Sequence, residues 1–207
     1  MRFEPISPAA LADRVAEAVA ARGGRVRVII DGPEPAEPGV LADAIADRLR
    51  VLGRAPVRVR AVDYLRPASL RFERGRTDPD ARYDDWLDTG ALRREVLAAG
   101  DRVLPALWDA ETDRSVRAAY VDVPGDGVVL LDGALLLGRD LPAELTVHLA
   151  MSAAALRRRG VPDWELPAFA RYEREVDPLH AAGIGVRCDD PKRPAVLARS
   201  DDMITER

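Results

Sequence analysis

Leu11, Val15 and Val19 recur at helical spacing behind Ser7 and Pro8, a capping residue followed by the residue best suited to a first helical position. Gly23 and Gly24 end that helix, and Arg25 to Ile30 (RVRVII) alternates into an apolar run, which predicts a strand. A loop rich in Pro and Glu follows from Gly32 to Gly39. Leu41, Ile45 and Leu49 then mark an amphipathic helix that ends near Gly53, and Val57 to Val62 (VRVRAV) reads as a second strand.

The first third is therefore a βαβ unit with an extra helix in front, over residues 1–24. Such units build parallel sheets with right-handed crossovers. A polar, highly charged section from Arg66 to Asp101 carries one helical pattern, Leu87 to Leu97. Gly127 to Leu131 (GVVLL), closed by Asp132-Gly133, has the pattern of a buried strand, and Leu145 to Leu149 (LTVHL) is another short one. Ala153 to Arg159 and Pro167 to His180 read as helices, Val186 as part of a last strand, and residues 198–207 as a loose tail. The expected architecture is one domain over residues 1–207, an α/β fold whose sheet is mostly parallel, five-stranded and flanked by helices.

Composition narrows the chemistry. With 207 residues, 47% of them hydrophobic and 32% charged, the chain can bury one sizeable core. A net charge of -4 argues against nucleic acid and anionic membranes as partners. No apolar run reaches the ~18 residues of a membrane span, and the N-terminal residues lack a signal-peptide pattern, so a cytoplasmic protein is expected. Cys188 is the only cysteine, and His148 and His180 are the only histidines, which gives a zinc-type site little support. His148 reads as a satisfied core histidine and His180 as a contact at a helix end. Lys192 is the only lysine, so chemistry that needs one has a single candidate.

A strand ending in IIDG, a short loop and an amphipathic helix form the setting of a phosphate-binding loop, G-x-x-x-x-G-K-[ST]. Counting from Gly32, Glu37 stands at the second glycine, Pro38 at the lysine and Gly39 at the hydroxyl. Pro38 brings no charge to the phosphates and Gly39 no hydroxyl to Mg²⁺. Pro33, Pro35 and Pro38 have no N–H to give an anion nest. Glu34 and Glu37 add negative charge where a triphosphate would sit. A like-charge pair at 4 Å costs ~1 kcal/mol in bulk water and ~4 at an effective dielectric of 20. The helix dipole returns roughly 0.3–1 kcal/mol.

Downstream segments, in order, resemble the uridine kinase and nucleoside kinase-like branch of the P-loop NTPase family. They are VDYLRP (Val62 to Pro67), TDPDARYDDWLDTGALRREVL (Thr77 to Leu97), Pro105 with Trp108-Asp109 and Arg114, VVLLDG (Val128 to Gly133) and YEREVDPLH (Tyr172 to His180). The resemblance spans roughly residues 25 to 195 and implies the three-layer P-loop fold. It also implies roles. Asp80 would bond ribose hydroxyls, Trp108 would stack on a base near Arg114, and Asp132 would help hold Mg²⁺. Asp63 stands one position after the family's catalytic base, a place Val62 occupies. Arg157, Arg158 and Arg159 stand where an arginine-bearing lid would clamp phosphate, although Gly160 and a proline-bounded segment shorten it. Each of these residues also has a plain structural role open to it: a cap for Asp132, packing for Trp108, a turn for Asp80, a solvated helix face for the arginines.

Three functions fit this pattern. One is a catalytically impaired pseudokinase that keeps a nucleoside-type pocket. Another is an active uridine or nucleoside kinase, using Mg²⁺ and ATP, with arginines in place of the lysine. The last is a structural partner subunit of a kinase. The resemblance also admits a homo-oligomer.

Overall fold

The computed structural model describes residues 2–198. In chain order, β1 (Phe3–Pro5) leads into α1 (Pro8–Ala20), then β2 (Val26–Asp31), α2 (Pro38–Val51) and β3 (Pro56–Arg60). A middle section follows: α3 (Ala68–Arg71), α4 (Pro79–Asp84), α5 (Thr89–Leu92), β4 (Arg102–Val103), β5 (Trp108–Asp109), β6 (Arg114–Ser115) and β7 (Val121–Asp122). The chain returns through β8 (Val128–Gly133) and β9 (Leu145–Ala150) to α6 (Ala153–Arg158), α7 (Leu166–Val176) and α8 (Pro178–Ala181). It ends with β10 (Ile184–Arg187) and β11 (Ala195–Leu197).

The central sheet has seven strands in the order β1-β11-β10-β9-β2-β8-β3. The run β3-β8-β2-β9-β10 is parallel throughout. β11 and β1 add an antiparallel edge beyond the five expected strands. β2 and β8 lie at the centre with both faces covered, which is why they read as nearly continuous Val, Ile and Leu.

Ser7 caps α1 as its position suggests, its hydroxyl accepting from the N–H of Ala10 at 3.1 Å, with Pro8 in the first turn. Leu11, Val15 and Val19 are buried, as are Leu41, Ile45 and Leu49 of α2, and the two helices pack together. The expected helix from Pro167 to His180 is broken at Asp177, which takes a left-handed conformation (φ 47°, ψ 57°) between α7 and α8. The helical stretch around Leu87 to Leu97 is α5 continued by a π-helical turn over Arg93–Leu97. The tail expected over residues 198–207 lies outside the described residues apart from Ala198, whose N–H donates to the carbonyl of Arg2 at 3.0 Å.

Candidate functional site

The carboxyl ends of β2, β8 and β9 carry two polar clusters on opposite faces of the sheet. Register decides this. Asp31 pairs with Gly133 on one side and His148 on the other, whereas Asp132 pairs with Ile30. Successive register positions point to opposite faces.

On the face covered by α2, the Gly32–Gly39 segment follows the first parallel strand. Gly32 donates to the carbonyl of Gly133 at 2.9 Å, and a Cβ there would stand 2.9 Å from Leu149 Cβ and 3.1 Å from its carbonyl oxygen. Backbone approach demands glycine at this position. Glu34–Ala36 form a 3₁₀ turn in which Ala36 N–H donates to Pro33 and Glu37 N–H to Glu34, both at 2.9 Å. Glu37 is exposed in a left-handed conformation (φ 60°, ψ 47°), and buried Pro38 opens α2. Buried Cys188 donates its thiol to the carbonyl of Ala36 at 3.8 Å, and burial pushes that thiol up to about 11.

Beside α2, Asp132 accepts from Arg58 Nη2 at 2.5 Å, and Arg58 Nη1 bonds Asp43. A Cβ on Gly39 would lie 3.3 Å from Asp132 Oδ2 and 3.9 Å from Arg58 Nη2, so carboxylate and guanidinium meet at the first turn of α2. Burial raises the Asp132 carboxyl above the usual range while the Arg58 hydrogen bond opposes the rise.

The other residues singled out in the sequence make contacts of their own. Asp63 lies in a 3₁₀ turn after β3 and is held by Arg60, with Nε at 2.8 Å and Nη2 at 2.6 Å, while Val62 beside it is exposed. Asp80, on α4, accepts from Arg171 of α7 at 3.1 Å. Trp108 Nε1 donates to Asp113 at 3.0 Å inside the β5–β6 hairpin, and Asp113 also accepts from the N–H of Ala68 at 2.8 Å. Arg114 is exposed in the same hairpin, so the structure brings Trp108 and Arg114 together but sends the hydrogen bond of Asp80 elsewhere. Arg157, Arg158 and Arg159 are exposed at the end of α6. Arg157 stands 3.5 Å from Asp163 and Arg159 3.4 Å from Asp190.

On the opposite face lies a cluster that sequence reasoning missed. Asp31 is fully buried, accepts from the Tyr172 hydroxyl at 2.8 Å and from Leu136 N–H at 2.9 Å, and shares a third hydrogen bond of 2.6 Å with His148 Nδ1. The Tyr172 hydroxyl in turn accepts from Leu137 N–H at 2.9 Å. Burial and the neighbouring Asp31 carboxylate push the Tyr172 phenol far up, so it stays a donor. His148 Nε2 is buried without a hydrogen-bond partner, and the nearest carboxylate oxygen, on Glu173, is 4.0 Å away. The signal in the sequence was an acid closing an apolar strand and a histidine inside another, but nothing local says the two strands are neighbours. His148, Asp31, Tyr172 and Glu173 line a cavity of about 70 Å³ whose other walls include Leu156, Leu166 and Phe169.

The five-strand parallel run flanked by helices, with a loop after its central strand leading into a helix, is an α/β fold that solved structures of kinase-like proteins share. A possible uridine kinase from Bacillus stearothermophilus superposes with a TM-score of 0.70 at 18% identity, covering 83% of this chain and 95% of that one. A candidate fructose transport system kinase from Silicibacter sp. TM1040 gives 0.61 at 23% identity, over 85% and 92% of the two chains. The YGR205w protein gives 0.62 at 10% identity, over 94% and 99%. At these identities the likeness is one of fold. No protein-family model matches the chain, and no curated protein matches it. Among the described residues no helix is long and apolar enough to cross a membrane.

Proposed function

We propose that this protein is a P-loop kinase-like pseudokinase, a fold that binds small molecules of nucleoside type without holding Mg·ATP in the ordinary way. The observation that carries the reading is the closed conformation of the Gly32–Gly39 segment. An anion nest needs several backbone N–H groups pointing at one spot. Here Pro33, Pro35 and Pro38 have none, and Ala36 and Glu37 use theirs inside the loop.

The site fits Mg²⁺ poorly as well. Asp132, which the resemblance would make a ligand, already accepts from Arg58, and Gly39 offers no hydroxyl beside it. An internal guanidinium stands next to the carboxylate that a metal would use. Breaking such a buried pair costs roughly 3–5 kcal/mol, more than the ~0.3–1 kcal/mol that the helix dipole returns to an anion.

The alternative, an active uridine or nucleoside kinase, needs Arg157, Arg158 and Arg159 to replace the lysine. All three are exposed, so nothing steric forbids it, and phosphoryl transfer depends chiefly on positioning and charge. A thermal-shift titration separates the two. A ligand at a hundred times its dissociation constant adds ~2.7 kcal/mol, several degrees of melting temperature for a chain of this size. We expect no shift with millimolar Mg·ATP and a saturable shift with uridine that is lost in Trp108→Ala. A Mg·ATP shift of several degrees would refute the proposal and favour the active kinase. Inertness to both ligands would favour a structural subunit.

A further inference from the structure

The cavity between β2 and β9 lies where strand connections diverge to either side of a parallel sheet, the usual place for a ligand in such folds, and Gly32 and Pro33, the first residues of the Gly32–Gly39 segment, line part of it. Its polar floor fixes one atom in an informative state. Asp31 accepts from Leu136 N–H and from the Tyr172 hydroxyl, which itself accepts from Leu137 N–H. With Asp31 as a carboxylate, an acceptor only, His148 Nδ1 carries the hydrogen of their 2.6 Å contact. In the neutral ring this leaves Nε2 with a bare lone pair. That lone pair is buried and unpartnered in a wall of the cavity. Buried polar atoms are rarely left so.

We infer that this cavity is a binding site for a small neutral alcohol, whose hydroxyl donates to His148 Nε2 while its carbon body rests on Leu156, Leu166 and Phe169. An ammonium would serve as donor too, but apart from Asp31 and Glu173 the named wall is aliphatic and aromatic, and the Asp31 oxygens are already committed. The gap of 4.0 Å between Nε2 and Glu173 Oε1 is too long for a direct hydrogen bond and leaves room for one hydroxyl oxygen that donates to Nε2. Partial burial holds the Glu173 carboxyl above its ordinary range, with about half of its side chain still exposed. The enclosed volume of about 70 Å³ is about half that of the ~150 Å³ cavity known to admit benzene. It therefore encloses about three or four non-hydrogen atoms of the ligand. The remainder of a larger alcohol would leave through the mouth beside Ala170, which is exposed on α7.

Nitrogen NMR of the ¹⁵N-histidine-labelled full chain tests it. In the free protein at neutral pH, His148 should show a protonated Nδ1 and a bare, pyridine-type Nε2. Titration with 2-propanol should move the Nε2 signal saturably, and acetone, equal in size but without a donor, should not move it. Ala170→Met, placed at the mouth, should weaken the response at least several-fold with the melting temperature unchanged. A second variant, His148→Phe, should lose 2-propanol binding as read from the methyl signals of Leu156. A protonated Nε2 in the free protein, equal responses to 2-propanol and acetone, a response that does not saturate, or an Ala170→Met titration like wild type would each overturn the inference.

Discussion

Tyr172→Phe deletes one oxygen from the centre of the buried Asp31 cluster and leaves the ring in place. Tyr172 is 3% exposed, and its edge-on contact with His148, centroids 6.1 Å apart, does not involve the hydroxyl. Two hydrogen bonds go: the one donated to Asp31 and the one accepted from Leu137 N–H. A hydrogen bond to a charged group contributes ~1.5–3 kcal/mol, and a buried N–H left without a partner costs ~1–3 kcal/mol. The two losses share an atom and do not add fully, so the variant should be destabilised by about 2–4 kcal/mol. At ~2–4 °C per kcal/mol for a chain of this length, its melting temperature should fall on the order of 5–15 °C. Urea denaturation followed by circular dichroism gives the free energy directly. Tyr83→Phe is the control. Tyr83 stacks near Tyr172, yet among the described residues its hydroxyl makes no hydrogen bond, so its loss should change stability by no more than about 0.5 kcal/mol. If the two variants melt within about 0.5 kcal/mol of each other, the Asp31 cluster does not have the connectivity described and the tautomer assigned to His148 falls with it.

Arg58→Met should destabilise by roughly 3–5 kcal/mol by leaving Asp132 buried without its partner, and Arg58→Met with Asp132→Asn should regain most of that loss in the same urea titration. Cys188 should resist iodoacetamide at pH 8 in the folded state and react once urea unfolds the chain. Its folded thiol sits at about 11 against an ordinary 9.0, so between those values the unfolded state loses its proton first and stability declines as pH rises, recoverable by Cys188→Ala. Rebuilding the loop with Glu37→Gly, Pro38→Lys and Gly39→Ser should restore measurable Mg·ATP binding by calorimetry, since the new Ser side chain would stand beside Asp132. Turnover should stay slow until Val62→Asp is added, because general-base assistance is typically worth ~10²–10⁴-fold. No ATP binding in the triple variant would mean that the Arg58–Asp132 pair, and not the loop, blocks the site.

What the amino-acid order determines by itself is local. Ser7-Pro8 starts a helix because a hydroxyl and a missing N–H suit its first turn. RVRVII reads as a strand and GVVLL as a buried one, and the strand–helix alternation leads to a parallel sheet. The absence of lysine and hydroxyl at Pro38 and Gly39 is equally plain from the letters. The edge strands β1 and β11, three residues each, are too short to carry a period, and they exist because β10 offers them backbone to pair with. Arg58 in VRVR looks like the solvent side of a strand, yet it turns to Asp132 because α2 covers that face. Asp31 and His148 stand 117 residues apart, and only the register of β2 against β9 sets them at 2.6 Å. Periodicity records which side of an element is buried. Which buried side chains meet is settled by strand register, and register is a property of the whole sheet, since a slip of one residue would turn every side chain on the strand to the opposite face.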